Sequence, residues 1–209
     1  MSTRLYLTNN TSFSLIPFVP NKNSKWNDVS HYDRAQAIST PAPEDVNYTT
    51  KNITAYGQNV LCRHYISFPL VQNQIIAGQV SGVLACKSAK HNLLQLAIDS
   101  YIVDSNNNYV GELFSIFPTG VNETYFSPCS LESRFFTSPI NTITTPSDKV
   151  SYIVMEFGWS SFIKPNLVSS NGSMEFGYKN NSDYQLAMDQ LAGKNSWVDF
   201  SSSLQFVQN

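Results

Sequence analysis

Apolar and polar residues alternate with a period of two along residues 92–104, NLLQLAIDSYIVD. Leu94, Leu96, Ile98 and Ile102 fall on one side of an extended chain, and Gln95, Asp99 and Tyr101 fall on the other. Side chains change face at every residue in a β-strand, so this pattern predicts a half-buried strand. Ser105, Asn106, Asn107 and Asn108 follow, and YVGELFSIF then resumes at Tyr109. Asparagine tolerates positive φ, which makes this stretch a hairpin turn between two strands.

The same reading extends along the chain. TRLYL at Thr3, VLCRHYISF at Val60 and QIIAGQVSGVLAC at Gln74 are strand candidates. RFFTS, KVSYIVMEFGW, GSMEFGYK and SWVDFSSSLQF are further ones. Gly78 and Gly82 inside one of them predict a bulge or a close backbone approach. About nine short strands separated by turn signals predict an antiparallel sandwich or barrel. Helical signal is confined to SDYQLAMDQLAG, which has cap candidates at Ser182 and Asp183 and a stop at Gly193; it is divided evenly between a short helix and an ordered loop.

Residues 8–59 break the pattern. They are rich in Pro, Asn and Ser, with Leu15, Ile16, Phe18, Val19 and Trp26 scattered among them. A long irregular segment beside a compact domain is disordered or docked as an arm, and the apolar anchors favour docking, on the chain's own body or on a neighbour. The organisation expected is therefore a first strand plus extended arm over residues 1–59 and a β-sandwich over residues 60–209.

Charged residues make up only 13% of the 209 residues, and the net charge is −2. That excludes electrostatic nucleic-acid binding, which needs a basic face. Cys62, Cys86 and Cys129 are an odd number with no CxxC spacing, so neither a disulfide framework nor a zinc site is indicated. The opening residues lack the apolar core of a signal peptide, and no apolar run approaches a membrane span. The sequons at Asn47, Asn52 and Asn122 carry little weight in so Asn-rich a chain.

Chemistry centres on one repeated pattern. MEFGW at Met155 and MEFGY at Met174 place Glu156 and Glu175 in matching contexts. Two carboxylates roughly 5–10 Å apart are what a glycosidase requires. Parity puts Glu175 with Ser173 and Lys179 on a polar face. It puts Glu156 with Tyr152 and Val154 on a less polar one, where partial burial is expected. The repeated Gly158 and Gly177 read as strand ends or bends under an aromatic, so the two copies are read as successive strands of one sandwich. His31, His64 and His91 have no partner at metal-ligand spacing, and no nucleophile elbow, phosphate loop or dinucleotide fingerprint is present. Asp104, Asn106 and Asn108 alternate oxygens on a turn, a faint likeness to a calcium loop that a plain hairpin turn explains as well. Trp26, Trp159 and Trp197 offer a sugar-stacking platform, although the 13 Phe and 11 Tyr beside them mostly suit a core and an assembly interface. No catalytic, cofactor-binding or metal-binding residue is assigned, and no cofactor is expected.

Taken in order, several segments resemble a family of tailed-bacteriophage structural proteins of about 200 residues. These are Thr3, Arg4, Leu5 and Tyr6; the block from Cys62 to Gly82; the strand pair around Ser105; Glu156 to Gly158; Phe176 and Gly177; and Trp197 to Ser201. The resemblance covers the first strand and most of the chain after Asn59. It implies a virion part without naming which part. The resulting expectation is an all-β, antiparallel, jelly-roll-like β-sandwich with an extended N-terminal arm. Its function is that of a non-enzymatic virion protein made in the host cytoplasm, favoured as a capsid decoration or cement protein over a tail or neck protein. Its partners are the major capsid protein or tail and neck proteins and copies of itself, with no nucleic acid and no membrane. The contrasting reading is a carbohydrate-binding or carbohydrate-cleaving sandwich that uses Glu156 and Glu175 and exposes Trp159 or Trp197 in a cleft.

Overall fold

The computed structural model describes residues 2–7, 25–27, 33–38, 47–53, 58–88, 94–119, 132–162, 170–176 and 196–207. Eleven strands run through them: β1 Thr3–Leu7, β2 Asp33–Ile38, β3 Asn47–Ile53, β4 Asn59–Ile66, β5 Ile75–Ser88, β6 Leu94–Asp104, β7 Tyr109–Ile116, β8 Glu132–Thr144, β9 Ser151–Ser161, β10 Ser170–Phe176 and β11 Trp197–Phe200. The protein is an all-β, jelly-roll-like sandwich.

One layer is built on β5. Its 14 residues are long enough to pair β8 along one edge and both β11 and β10, end to end, along the other. β1 continues the layer beside β11, and β3 continues it beside β10. The second layer has the order β2-β4-β9-β6-β7. A short β1–β2 ladder, Tyr6 with Ile38 and Leu7 with Ala37, joins the two layers along one side. All pairings are antiparallel except β2 with β4, which is parallel. Between the layers lies one core that includes Leu5, Val80, Leu84, Val198 and Phe200 from the first and Ile98, Ile102, Met155, Phe157 and Trp159 from the second. The alternation read in β6 and β9 sends these side chains inward.

The two ends of the described chain meet. Thr3, Arg4, Leu5 and Tyr6 are the register partners of Phe200, Asp199, Val198 and Trp197. Arg4 donates to the Asp199 carboxylate at 2.9 Å and stacks its guanidinium 4.0 Å from the Trp197 ring centroid. Gly78 has φ of 100° at the bulge between Ile76 and Gly78, where a residue with a Cβ is strained. Gly82 lets the Phe136 ring lie directly on the backbone of β5.

Three expectations are revised. Periodicity predicts a half-buried β6, yet Gln95, Ala97, Asp99, Tyr101 and Val103 on its second face are buried too. Periodicity reports which side chains share a face and not what covers that face. Part of the segment read as an extended arm forms strands β2 and β3. The sheet is also not purely antiparallel, because β2 lies parallel to β4. The proposed helix over residues 182–193, Gly177, His31, His91, Cys129, and arm residues Leu15, Ile16, Phe18 and Val19 lie outside the described residues. The hairpin turn after β6 is found, with φ of 64° at Asn107.

Candidate functional site

The outer face of the second layer is covered by a short strap, residues 25–27. Its backbone is held to the start of β4: the Asn27 N–H donates to the Asn59 carbonyl at 2.8 Å, and the Asn59 amide donates to the Lys25 carbonyl at 2.7 Å. The Lys25 ammonium reaches β7, donating to Glu112 at 2.9 Å and Ser115 at 2.7 Å. Trp26 lies between these anchors and is 6% exposed. Its ring packs with Leu61 and Ala97 and meets Phe117 edge-on at 4.8 Å. The strap therefore crosses β4, β9, β6 and β7.

Beneath Trp26 is the glycine of the first MEFG copy. A Cβ built on Gly158 would sit 2.8 Å from the Trp26 ring and would collide with the Val60 carbonyl. Gly158 is thus the floor that lets the indole and β4 approach β9, and the strand does not end there: β9 runs on to Ser161.

Glu156, two residues before it, is fully buried. The Trp26 indole N–H donates to its Oε2 at 2.7 Å, and the Tyr101 hydroxyl donates to its Oε1 at 2.9 Å. His64 Nδ1 lies 3.4 Å from Oε1. A buried carboxylate is tolerated only when its oxygens are well partnered, and these donors supply that. The register aligns four positions across the layer. Asp99 on β6 pairs with Glu156, Glu156 pairs with His64 on β4, and His64 pairs with Arg34 on β2. A single bulge between Leu61 and Arg63 creates this alignment. Unbroken alternation from Val60 would turn His64 toward the core; one extra residue turns it to the Glu156 face. Spacing along the sequence carries no sign of that bulge, so nothing in the sequence marks His64 and Asp99 as neighbours of Glu156.

Glu175 is placed elsewhere. β10 belongs to the first layer, where Glu175 pairs with Tyr48 of β3 and Ala85 of β5. Its side chain, and with it the reading of a polar, solvent-facing position, lies outside the described residues. The two MEFG copies are successive strands in opposite layers. Trp159 and Trp197 are 0% and 6% exposed, so neither offers the open stacking platform that the carbohydrate reading requires.

The remaining candidates are local. Asp104 organises the hairpin: its Oδ1 accepts the N–H groups of Asn106 and Asn108, each at 2.8 Å, and its Oδ2 accepts from the Asn108 amide at 3.0 Å and from Lys149 at 3.1 Å. Desolvation opposes the charged form, but these donors outweigh it and hold the carboxyl down at about 2. The oxygens that suggested a calcium loop are therefore spent on the turn. Cys62 and Cys86 are buried thiols outside any disulfide, and burial pushes the Cys86 thiol far above its ordinary range. A cleft of about 350 Å³ is lined by residues of β6, β7 and β8: Gln95, Leu96, Ile116, Arg134, Phe135, Phe136 and Thr137. Among the described residues no group of three or more His, Cys, Asp or Glu is arranged to hold a metal ion.

No protein-family model and no curated protein matches the chain. Solved structures give distant likenesses. An α-amino acid ester hydrolase labelled with selenomethionine is 9% identical over 97% of this chain and 36% of its own, with a TM-score of 0.49. A structure of infectious bursal disease virus, Gx strain, is 9% identical over 80% of this chain and 39% of its own, with a TM-score of 0.36. A CocE/NonD family hydrolase from Staphylococcus aureus is 11% identical over 97% of this chain and 34% of its own, with a TM-score of 0.31. The chain spans little more than a third of these proteins, and at such similarity no activity is taken from any of them.

Proposed function

We propose that this chain is a non-enzymatic structural protein of a tailed-bacteriophage virion, in the role of a capsid decoration or cement protein. The observation that carries the reading is the burial of Glu156 beneath Trp26. The carboxylate best placed by sequence for chemistry serves as the hydrogen-bond acceptor that fastens an N-terminal segment to the sandwich. A substrate has no path to it while the strap is in place. A segment fastened at one short point, with longer connections beside it, suits a protein that bridges neighbouring subunits. The ordered resemblance to phage structural proteins supports the same reading, and the ladder between TRLY and WVDF gives its two outermost elements a shared structural role. A tail or neck position is the alternative location.

Proteomic quantification of purified particles tests this. The chain is expected in a fixed, high copy number relative to the major capsid protein. Its absence from purified particles contradicts the proposal. So does hydrolysis of a host polysaccharide by the purified chain that is lost on Glu156→Gln or Glu175→Gln.

A further inference from the structure

The strap and its seat form a plug and socket with different architectures. The socket consists of Leu61, Ala97, Gly158 and Glu156, all set on strands β4, β6 and β9, which hold each other in register over long ladders. The plug is three residues, held mainly by the side chains of Lys25 and Trp26 and by a few bonds to Asn59. Strand pairing builds the socket whether or not the plug is seated, so the plug is the smaller opening unit of the two.

We propose that the 25–27 strap of one copy seats in the socket of a second copy, so that the outer face of the second layer is a surface for self-association through exchange of Trp26. The partner is a second copy because the structure already displays the complementary pair: an indole N–H aimed at a carboxylate, an aromatic face on a glycine, and an ammonium between Glu112 and Ser115. Exchange replaces each contact with an identical one and so loses none of them. Chain length permits it. Residues 8–24 separate β1 from the strap and reach about 60 Å when extended. Residues 28–32 separate the strap from β2 and reach about 20 Å. Asn27 sits at Asn59, and Asp33 is the register partner of Arg63, only about 13 Å further along β4. Five residues are long enough to cover that distance, and so short a connection confines the second copy to the outer face of the second layer. Within one chain the tether gives the strap an effective concentration in the millimolar range, so exchange competes where copies are crowded to a similar concentration.

This inference deepens the reading of the arm as a bridge and rests on it, but its test needs no particle. Trp26→Ala removes the plug and leaves the socket; Ala97→Leu fills the socket and leaves the plug. Each variant alone, verified as folded by circular dichroism, is expected to sediment as a monomer at about millimolar chain concentration. An equimolar mixture is expected to form a heterodimer, dispersed by a synthetic peptide of residues 22–32. A mixture that sediments as two monomers overturns the exchange. A second measurement avoids core substitutions: Asn27→Cys on one chain and Asn59→Cys on another, mixed and oxidised. Random coupling alone gives the mixed covalent dimer in twofold excess over either like pair; an excess of at least fivefold is expected, and the random ratio overturns the proposal. Failure in both leaves the virion assignment standing, because that assignment is decided by the composition of the particle.

Discussion

The indole N–H of Trp26 donates to the Glu156 carboxylate at 2.7 Å, joining residues 130 positions apart in the chain. Glu156 is thereby a structural acceptor, and its loss is a stability effect. Trp26→Phe keeps an aromatic ring and removes one donor to a buried carboxylate, for an expected cost of about 1–3 kcal/mol. Trp26→Ala also empties the space between Leu61, Ala97 and Gly158, for about 3–5 kcal/mol. Urea unfolding followed by circular dichroism measures both. Equal stability of Trp26→Ala and the wild type would show that the strap contributes nothing to the fold.

Gly158→Ala is expected to be worse than its size suggests. The added methyl meets the Val60 carbonyl, which belongs to the ladder and cannot rotate away. A loss of about 2–4 kcal/mol, or failure to accumulate as soluble protein, is expected. The readout is the urea midpoint beside that of a surface control such as Ser203→Ala.

Asp104 supplies a pH dependence. Its folded value of about 2 lies below the ordinary aspartate value of about 3.9. The charged carboxylate therefore favours the fold at every pH above about 4, and that contribution drains away as pH falls from about 4 through 2. It amounts to about 2 kcal/mol at neutral pH. Asp104→Asn removes it. The difference in unfolding free energy between wild type and variant is expected to be full at pH 7 and to shrink steeply below pH 4.

Cys86 is expected to be silent toward thiol reagents in the native state. Its thiol is enclosed in the core, and burial disfavours the reactive thiolate. In a chain with Cys129→Ser, a chromogenic disulfide reagent at pH 8 is expected to react with Cys62 and Cys86 only at the rate of unfolding. Rapid labelling without denaturant contradicts the packing described.

The sandwich was legible because period-two patterning is local. The inward set of β9, Ile153, Met155, Phe157 and Trp159, reads off the sequence directly, and so does the Asn-rich turn after Asp104. Burial of the second face of β6 was not legible, because the residues covering it include Trp26, roughly seventy positions away. The neighbours of Glu156 were hidden for a different reason. His64 reaches it only through the bulge near Cys62, and a one-residue insertion in a ladder leaves no compositional mark. Parity predicts partial burial of Glu156, and the side chain is fully buried; parity gives no such sign for Asp99, which is buried just as completely. The meaning of Gly158 was half-read: an aromatic does lie against the glycine, but it comes from the strap, and the strand continues past it.

Electron cryomicroscopy of the assembled particle is the direct test of the cement assignment. Density for this sandwich is expected on the outside of the shell, lying across boundaries between major capsid subunits, with Trp26 seated on β9. Well-resolved shell and tail maps of the particle that contain no such density would contradict it.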